Sequence, residues 1–196
     1  MRPGIRSAFL KEHMQSTIAA LLDNLPAAKV DERAGKYLTF LIGKEEFGVA
    51  VLKVREIMGI QEITAVPRTP SYLKGVMNLR GKIIPVVDLR LKFGMPSVEY
   101  TKRTCIIVVQ VIGPSAPLLM GMVVDEVSEV VVIASADIED TPDFGSSINT
   151  GYILGMAKIK GKVIILLDIN EVLTSQEIRG LETAVEQSQS DLENQL

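Results

Sequence analysis

The sequence predicts a mainly β protein: two small antiparallel barrels of about five strands each, short helices between strands, and helical segments at both ends. Two observations carry this expectation. The first is an internal repeat. Lys74–Gly94 reads KGVMNLRGKIIPVVDLRLKFG and Leu154–Thr174 reads LGMAKIKGKVIILLDINEVLT. Setting Gly75 on Gly155 brings Gly81 onto Gly161, Lys82 onto Lys162, Ile84 onto Ile164 and Asp88 onto Asp168, with Arg80 opposite Lys160. Glycine, charge and apolar patterns stay together over the whole stretch, which marks two copies of one β unit. The second observation is that apolar runs such as Val163-Ile164-Ile165-Leu166-Leu167 are strand length and separated by glycine-bearing turns.

In chain order, Leu10, Met14, Ile18, Leu21 and Leu25 recur at helical spacing, and Pro26 argues for an end near Leu25. Ala27–Gly35 reads as a linker, so residues 1–35 form an amphipathic helix and linker ahead of the barrels. Tyr37–Ile42 and Phe47–Val51 form a hairpin across Gly43–Glu46. Val54–Ile57 mixes apolar and charged residues, and Ile63–Val66 reads as another short strand, stopped by Pro67. Asn78–Lys82 is a tight turn in which Gly81 takes a positive φ. Pro85 has no N–H to give, which places it at an edge or a bulge. Asp88 and Asp168 each close a strand and can cap the segment that follows. Glu171, three residues after Asp168, resembles a capping box.

The second copy opens with Cys105–Val111 and Leu118–Val124. Gly48-Val49-Ala50-Val51 and Val54-Arg55-Glu56-Ile57 align with Gly121-Met122-Val123-Val124 and Val127-Ser128-Glu129-Val130. Asp140–Thr150 reads as an exposed polar loop. After Asn170 the pattern is helical, and residues 182–196 form an acidic, glutamine-rich tail.

Composition narrows the chemistry. A formal net charge of -3 gives no overall basic field for nucleic acid or anionic membrane. Cys105 is the single cysteine and His13 the single histidine, so an internal disulfide, all-cysteine or multi-histidine metal sites and most histidine chemistry are excluded. No apolar run approaches the roughly 20 residues of a membrane span. The compartment expected is cytoplasmic, and no cofactor is expected. The best catalytic pair, Asp88 and Asp168, lacks the small hydroxyl and glycine neighbours that a two-aspartate protease needs, and capping explains both more simply. Cys105 reads as a buried packing residue. Lys74, Arg80, Lys82, Arg90 and Lys92 form a local basic set, but the chain lacks tryptophan and its few aromatic residues read as core. That set is therefore read as a solvated face and not as a stacking platform for single strands. No catalytic residue is assigned. What remains is a binding module.

GVMNLRGKIIPVVDLR, preceded by FGVAVLKVREI and followed by GMVVDEVSEVV, closely resembles the CheW family of bacterial chemotaxis coupling proteins over roughly Lys36–Leu181. The resemblance implies a CheW-like domain over residues 36–181 made of two five-stranded SH3-like barrels. It implies a non-enzymatic adaptor that joins the cytoplasmic tip of a chemoreceptor to the regulatory domain of the histidine kinase CheA, recruited to receptor arrays without inserting in the membrane. By the same resemblance Val54, Ile57 and Gly75 match positions of a receptor-binding groove, with Glu56 and Arg80 at its charged edge. Kinase contact is expected at the open ends of the barrels, without named residues. The rival readings are a small-barrel nucleic-acid module and a scaffold of the same family in a non-chemotactic array.

Overall fold

The computed structural model describes residues 31–113, 116–142, 150–174, 176–181 and 183. The expected N-terminal helix, most of the Asp140–Thr150 loop and nearly all of the acidic tail lie outside the described residues. From Glu32 onward the described residues form one compact unit. Arg33, assigned to the linker by sequence, is part of that unit: its Nη1 donates to the Leu154 carbonyl and to Asp140, each at 2.8 Å.

Among the described residues eleven strands form two sheets. The strands are β1 (Gly35–Ile42), β2 (Glu45–Ala50), β3 (Val54–Gly59), β4 (Leu73–Leu79), β5 (Lys82–Asp88) and β6 (Cys105–Ile112). They continue as β7 (Pro117–Val124), β8 (Glu126–Ile133), β9 (Ile138–Glu139), β10 (Ile153–Ile159) and β11 (Lys162–Leu167). A short helix α1 spans Leu89–Lys92, and residues 176–181 are helical. One sheet has the order β3-β6-β7-β5-β4, the other β8-β1-β2-β11-β10-β9. The fold class is the expected one, but each sheet draws on both halves of the chain. The hairpin β1–β2 completes the sheet of the second copy, and β6–β7 completes that of the first. The joins are parallel, Gly48 opposite Leu166 and Gly121 opposite Val86, where antiparallel pairing throughout was expected. Neither ladder closes on itself among the described residues, so β3 and β4 are end strands of one sheet, β8 and β9 of the other.

Strand alternation separates three apolar clusters. Ile106 and Val108 of β6 face a cluster with Met77, Ile84 and Val86 inside the five-stranded sheet. Ile107 and Val109 point the other way, into the largest cluster, where Leu38, Phe40, Ile42 and Leu167 arrive from the second sheet. Tyr37, Ile133, Ala157, Ile164 and Leu166 fill the third cluster, inside the six-stranded sheet. The near-continuous apolar runs thus serve two cores at once. Burying them is the main contribution to stability, on the order of 1.5–3 kcal/mol for each large side chain.

The repeat is geometric as well as sequential. Register shifts fall between Leu73 and Gly75 against β5, and between Ile153 and Gly155 against β11. Arg80 and Gly81 have φ of 54° and 86°, and Lys160 and Gly161 have 50° and 79°, the two positive values of a type I′ hairpin. Gly81 was expected there; the left-handed backbone of Arg80 was not.

Four local expectations are corrected. Ile63–Val66 is not a strand: only Thr64 pairs, in an isolated bridge to Val76. Pro85 lies at neither an edge nor a bulge but opposite Val76, whose own N–H and C=O both turn to Thr64. The Val76–Pro85 pair therefore has no ladder bond for proline to lose. Glu171 forms no capping box, because Asp168 Oδ1 instead accepts from Asn170 N at 2.9 Å in a turn. The box forms six residues later, where Thr174 N donates to Glu177 Oε2 at 2.6 Å and Glu177 N to Thr174 Oγ1 at 3.2 Å. Finally, the basic set is a solvated face only in part: Arg80 and Lys82 are exposed, but two members are not. Arg90 pairs with Asp125 and Lys92 with Glu177, both cationic side chains being largely covered.

Candidate binding surface on the five-stranded sheet

Strand β3 follows a short 3-10 turn, Val51–Lys53, and carries three of the residues singled out from sequence. A register shift between Val54 and Glu56 against β6 rotates the strand within its own length. Val54 consequently packs against the core between the sheets, Glu56 is half-buried, and Ile57 is 44% exposed. Arg80 sits at the tip of the β4–β5 turn. Its Nη2 lies 2.8 Å from Glu56 Oε1, with the arginine side chain 79% and the glutamate 30% exposed. Glu56 and Arg80 are therefore brought together, while Ile57, the next residue on β3, turns to the other face of the strand.

Gly75 does not share that surface. It is buried in β4 at φ 140°, and a Cβ there would stand 2.0 Å from the Thr64 carbonyl oxygen. The glycine lets Thr64 approach closely enough to pair with Val76 alongside β4.

The second repeat copy lacks the pair. Lys160 repeats the turn backbone, and Glu129 aligns with Glu56, but these two form no ion pair. The repeat is structurally matched and functionally one-sided at this point.

Two features escaped sequence reasoning. Leu52, in the 3-10 turn ahead of β3, is 89% exposed; its position between Val51 and Lys53 gives no periodic signal. The other is a cluster that fastens the C-terminal helical residues. Tyr72 Oη donates to Glu177 Oε1, Lys92 Nζ reaches the same oxygen at 2.5 Å, and the ammonium also lies 4.6 Å from the Tyr72 ring centre. Burial pushes the Glu177 carboxyl up, but hydrogen bonds from Lys92, Tyr72 and Thr174 outweigh it and hold the group at about 2. Burial and the same carboxylate raise the Tyr72 phenol. Thr174-x-x-Glu177 was a legible signal for this cap.

The titratable groups found elsewhere are also occupied by the fold. Asp88 is 4% exposed, caps Leu91 N at 3.2 Å and accepts from Tyr100 Oη at 3.4 Å. Burial first, then the Asp88 charge and hydrogen bond, push Tyr100 up to about 12. Cys105 is partly buried, its Sγ donating to the Arg103 carbonyl at 2.9 Å. Among the described residues no cluster of side chains could hold a metal ion, and no helix is long and apolar enough to cross a membrane.

A two-sheet β body whose perturbed groups all serve capping and packing, with an ion pair and an exposed isoleucine on one edge strand, has the build of a protein-binding module. The CheW-like domain family matches residues 36–177. The chemotaxis protein CheW of Klebsiella aerogenes is 37% identical over 156 residues, covering 77% of this chain and 92% of that one. CheW of Rhizobium meliloti is 38% identical, covering 77% and 96%. The crystal structure of the scaffolding protein TtCheW from Thermoanaerobacter tengcongensis superposes with a TM-score of 0.66 at 34% identity, covering 74% of this chain and 97% of that one. The chain belongs to the CheW family.

Proposed function

We propose that this protein is a non-enzymatic adaptor that couples chemoreceptors to the histidine kinase CheA. The observation that carries the site is the Glu56–Arg80 pair at the β3 edge, present in one repeat copy only, with exposed Ile57 next along the strand. A receptor tip is a helical hairpin. The charge pair offers such a helix two oriented polar groups, and Ile57 on the other face of the same edge strand offers an apolar anchor to a helix lying along that edge. Val54 holds β3 against the inter-sheet core, and Gly75 admits Thr64 alongside β4. The kinase contact, through the kinase's regulatory domain, falls on another part of the two-sheet body, and assembly with both partners recruits the adaptor to receptor arrays.

The nucleic-acid reading is not favoured. Phe40, Phe47, Phe93 and Tyr152 stack one on the next, spending their faces on each other instead of on bases. The test is pull-down of purified protein with a soluble receptor signalling fragment and CheA. Capture of all three in one complex supports the adaptor. Failure to bind either partner, or salt-steep retention of an oligonucleotide, contradicts it.

A further inference from the structure

Among the described residues each sheet ends in two strands with an unpaired edge, and proteins guard such edges with charge, brevity or cover. Three of the four ends are guarded. β3 carries Arg55 and Glu56, the latter clasped to Arg80; β4 takes Thr64 in its bridge to Val76; β9 is two residues long. β8 is the exception. It runs eight residues, EVSEVVVI, with no lysine, arginine or proline, and leaves Val130 54% and Val132 70% exposed. The clasp carried by β3 has no counterpart here, because Glu129 and Lys160 form no ion pair.

The backbone of β8 is aligned for a further strand. Glu129 N donates to Thr39 Oγ1 at 3.3 Å, and the Glu129 carbonyl accepts from the same hydroxyl at 3.1 Å, so this residue turns its peptide groups toward β1. Residues 130–133 then follow β1 in unbroken register, with Val131 opposite Tyr37. Peptide groups alternate in an antiparallel ladder, so Val130 and Val132 aim their N–H and C=O groups away from β1, toward the open side. Their side chains share one face, that of their β1 partners Leu38 and Lys36.

An occupant must offer an extended strand, an apolar face, and no acid opposite Glu129. β8 of a second copy meets all three conditions. A two-fold axis through Val131 sets Val130 opposite Val132 of the second copy, and Val132 opposite its Val130, two pairs that can each exchange both backbone bonds. The four exposed valines then form one cluster across the axis, a favourable cross-strand arrangement of branched side chains. Glu129 falls opposite Ile133 of the second copy and not opposite its own equivalent, so no like charges meet. We infer that β8 pairs antiparallel with β8 of a second copy about Val131, joining two six-stranded sheets into one. Few residues take part on each side, so the contact is smaller than the roughly 1,200 Å² at which standard stable interfaces begin. The pairing is therefore weak in dilute solution and forms where copies are held close together.

The test is sedimentation equilibrium of the full-length protein from about 20 µM to about 1 mM, a range that detects weak association. Two full-length variants are compared with wild type, V130K with V132K, and V130K with V132E. Both positions are exposed, and amide NMR signals of the buried Ile164 and Leu166 report that the fold is kept. The inference expects the average mass of wild type to rise with concentration toward that of a dimer, and the double-lysine variant to stay monomeric. Position 130 faces position 132 of the second copy, so V130K with V132E sets lysine against glutamate twice and should restore association. Raising NaCl from about 50 to about 500 mM should remove that restored association, because it is ionic. Wild type that stays monomeric throughout overturns the inference. A double-lysine variant that associates as wild type does assigns the contact to another surface and overturns it equally. Association of V130K with V132E no stronger than that of the double-lysine variant contradicts the two-fold about Val131 and overturns it as well.

Discussion

Arg80 and Glu56 join the two ends of one sheet. Glu56 lies on β3 and Arg80 at the turn after β4, the first and last strands in the order β3-β6-β7-β5-β4, yet their side chains meet at 2.8 Å. No backbone ladder links those strands among the described residues, so the contact is a side-chain clasp over a gap in the hydrogen bonding. The sheet curls far enough to bring its ends within reach of one arginine. Barrel-like curvature is therefore present without a continuous ladder.

The clasp is exposed, so it should matter little to folding. Glu56→Ala should cost no more than about 1 kcal/mol in urea unfolding, and a double-mutant cycle with Arg80→Ala should give a coupling of similar or smaller size. Arg80→Gly should do the opposite to stability. It relieves a left-handed side-chain residue and should raise stability by up to about 1 kcal/mol, while receptor binding falls. A cycle showing several kcal/mol of coupling would make the pair a structural device instead.

Gly75 and Gly81 should respond differently to alanine. At Gly81 nothing lies within 4 Å of an added Cβ, so only the φ of 86° is penalised and about 1 kcal/mol is expected. At Gly75 the Cβ meets the Thr64 backbone, which cannot rotate away, and the cost should reach about 3 kcal/mol or more. Thermal midpoints of the two variants check the order. Equal losses would contradict the close approach of Thr64 to β4.

Glu177 should make the attachment of the C-terminal helical residues sensitive to acid. Its pKa falls from the usual 4.5 to about 2 in the folded protein. A lowered carboxyl stabilises the folded state fully above about pH 4.5, and that contribution is lost as pH falls toward 2. Chemical denaturation at pH 6, 4 and 3 should show wild type losing this part of its stability, and Glu177→Gln being weaker at pH 6 but flatter with pH. Parallel curves for the two proteins would contradict the Lys92–Glu177–Tyr72 arrangement.

Truncation should locate the start of the folded unit within two residues. Removing residues 1–31 should leave cooperative unfolding intact. Removing 1–33 also deletes Arg33, which bonds Leu154 and Asp140 and whose carbonyl accepts from Tyr37 Oη at 2.7 Å, and should lower the midpoint further. Identical midpoints for the two truncations would return Arg33 to the linker.

Much of this fold was legible because its signals are local. Period-two alternation and glycine turns mark the strands around Phe47, Gly81 and Gly161, and the repeat fixes equivalent registers at Gly75 and Gly155. Which strands pair across the halves was not legible. Val86 opposite Gly121 and Leu166 opposite Gly48 are long-range choices set by which faces bury, and both halves carry the same apolar pattern. The site divided the same way. Glu56 and Arg80 were singled out by resemblance, and the structure adds their contact. Gly75 was grouped with them because sequence gives no sign of Thr64 pairing beside it. Leu52 was not singled out, since exposure of a single aliphatic residue leaves no periodic trace.

The adaptor account is tested most directly by receptor-dependent kinase activity reconstituted from CheA, a receptor signalling fragment and this protein, comparing wild type with Arg80→Ala. The account predicts that wild type activates the kinase, and that Arg80→Ala lowers activation at least tenfold at limiting adaptor while its unfolding midpoint stays at the wild-type value. Activation by the variant equal to wild type would contradict the assignment of the Glu56–Arg80 edge to the receptor, and no activation by wild type would contradict the adaptor function itself.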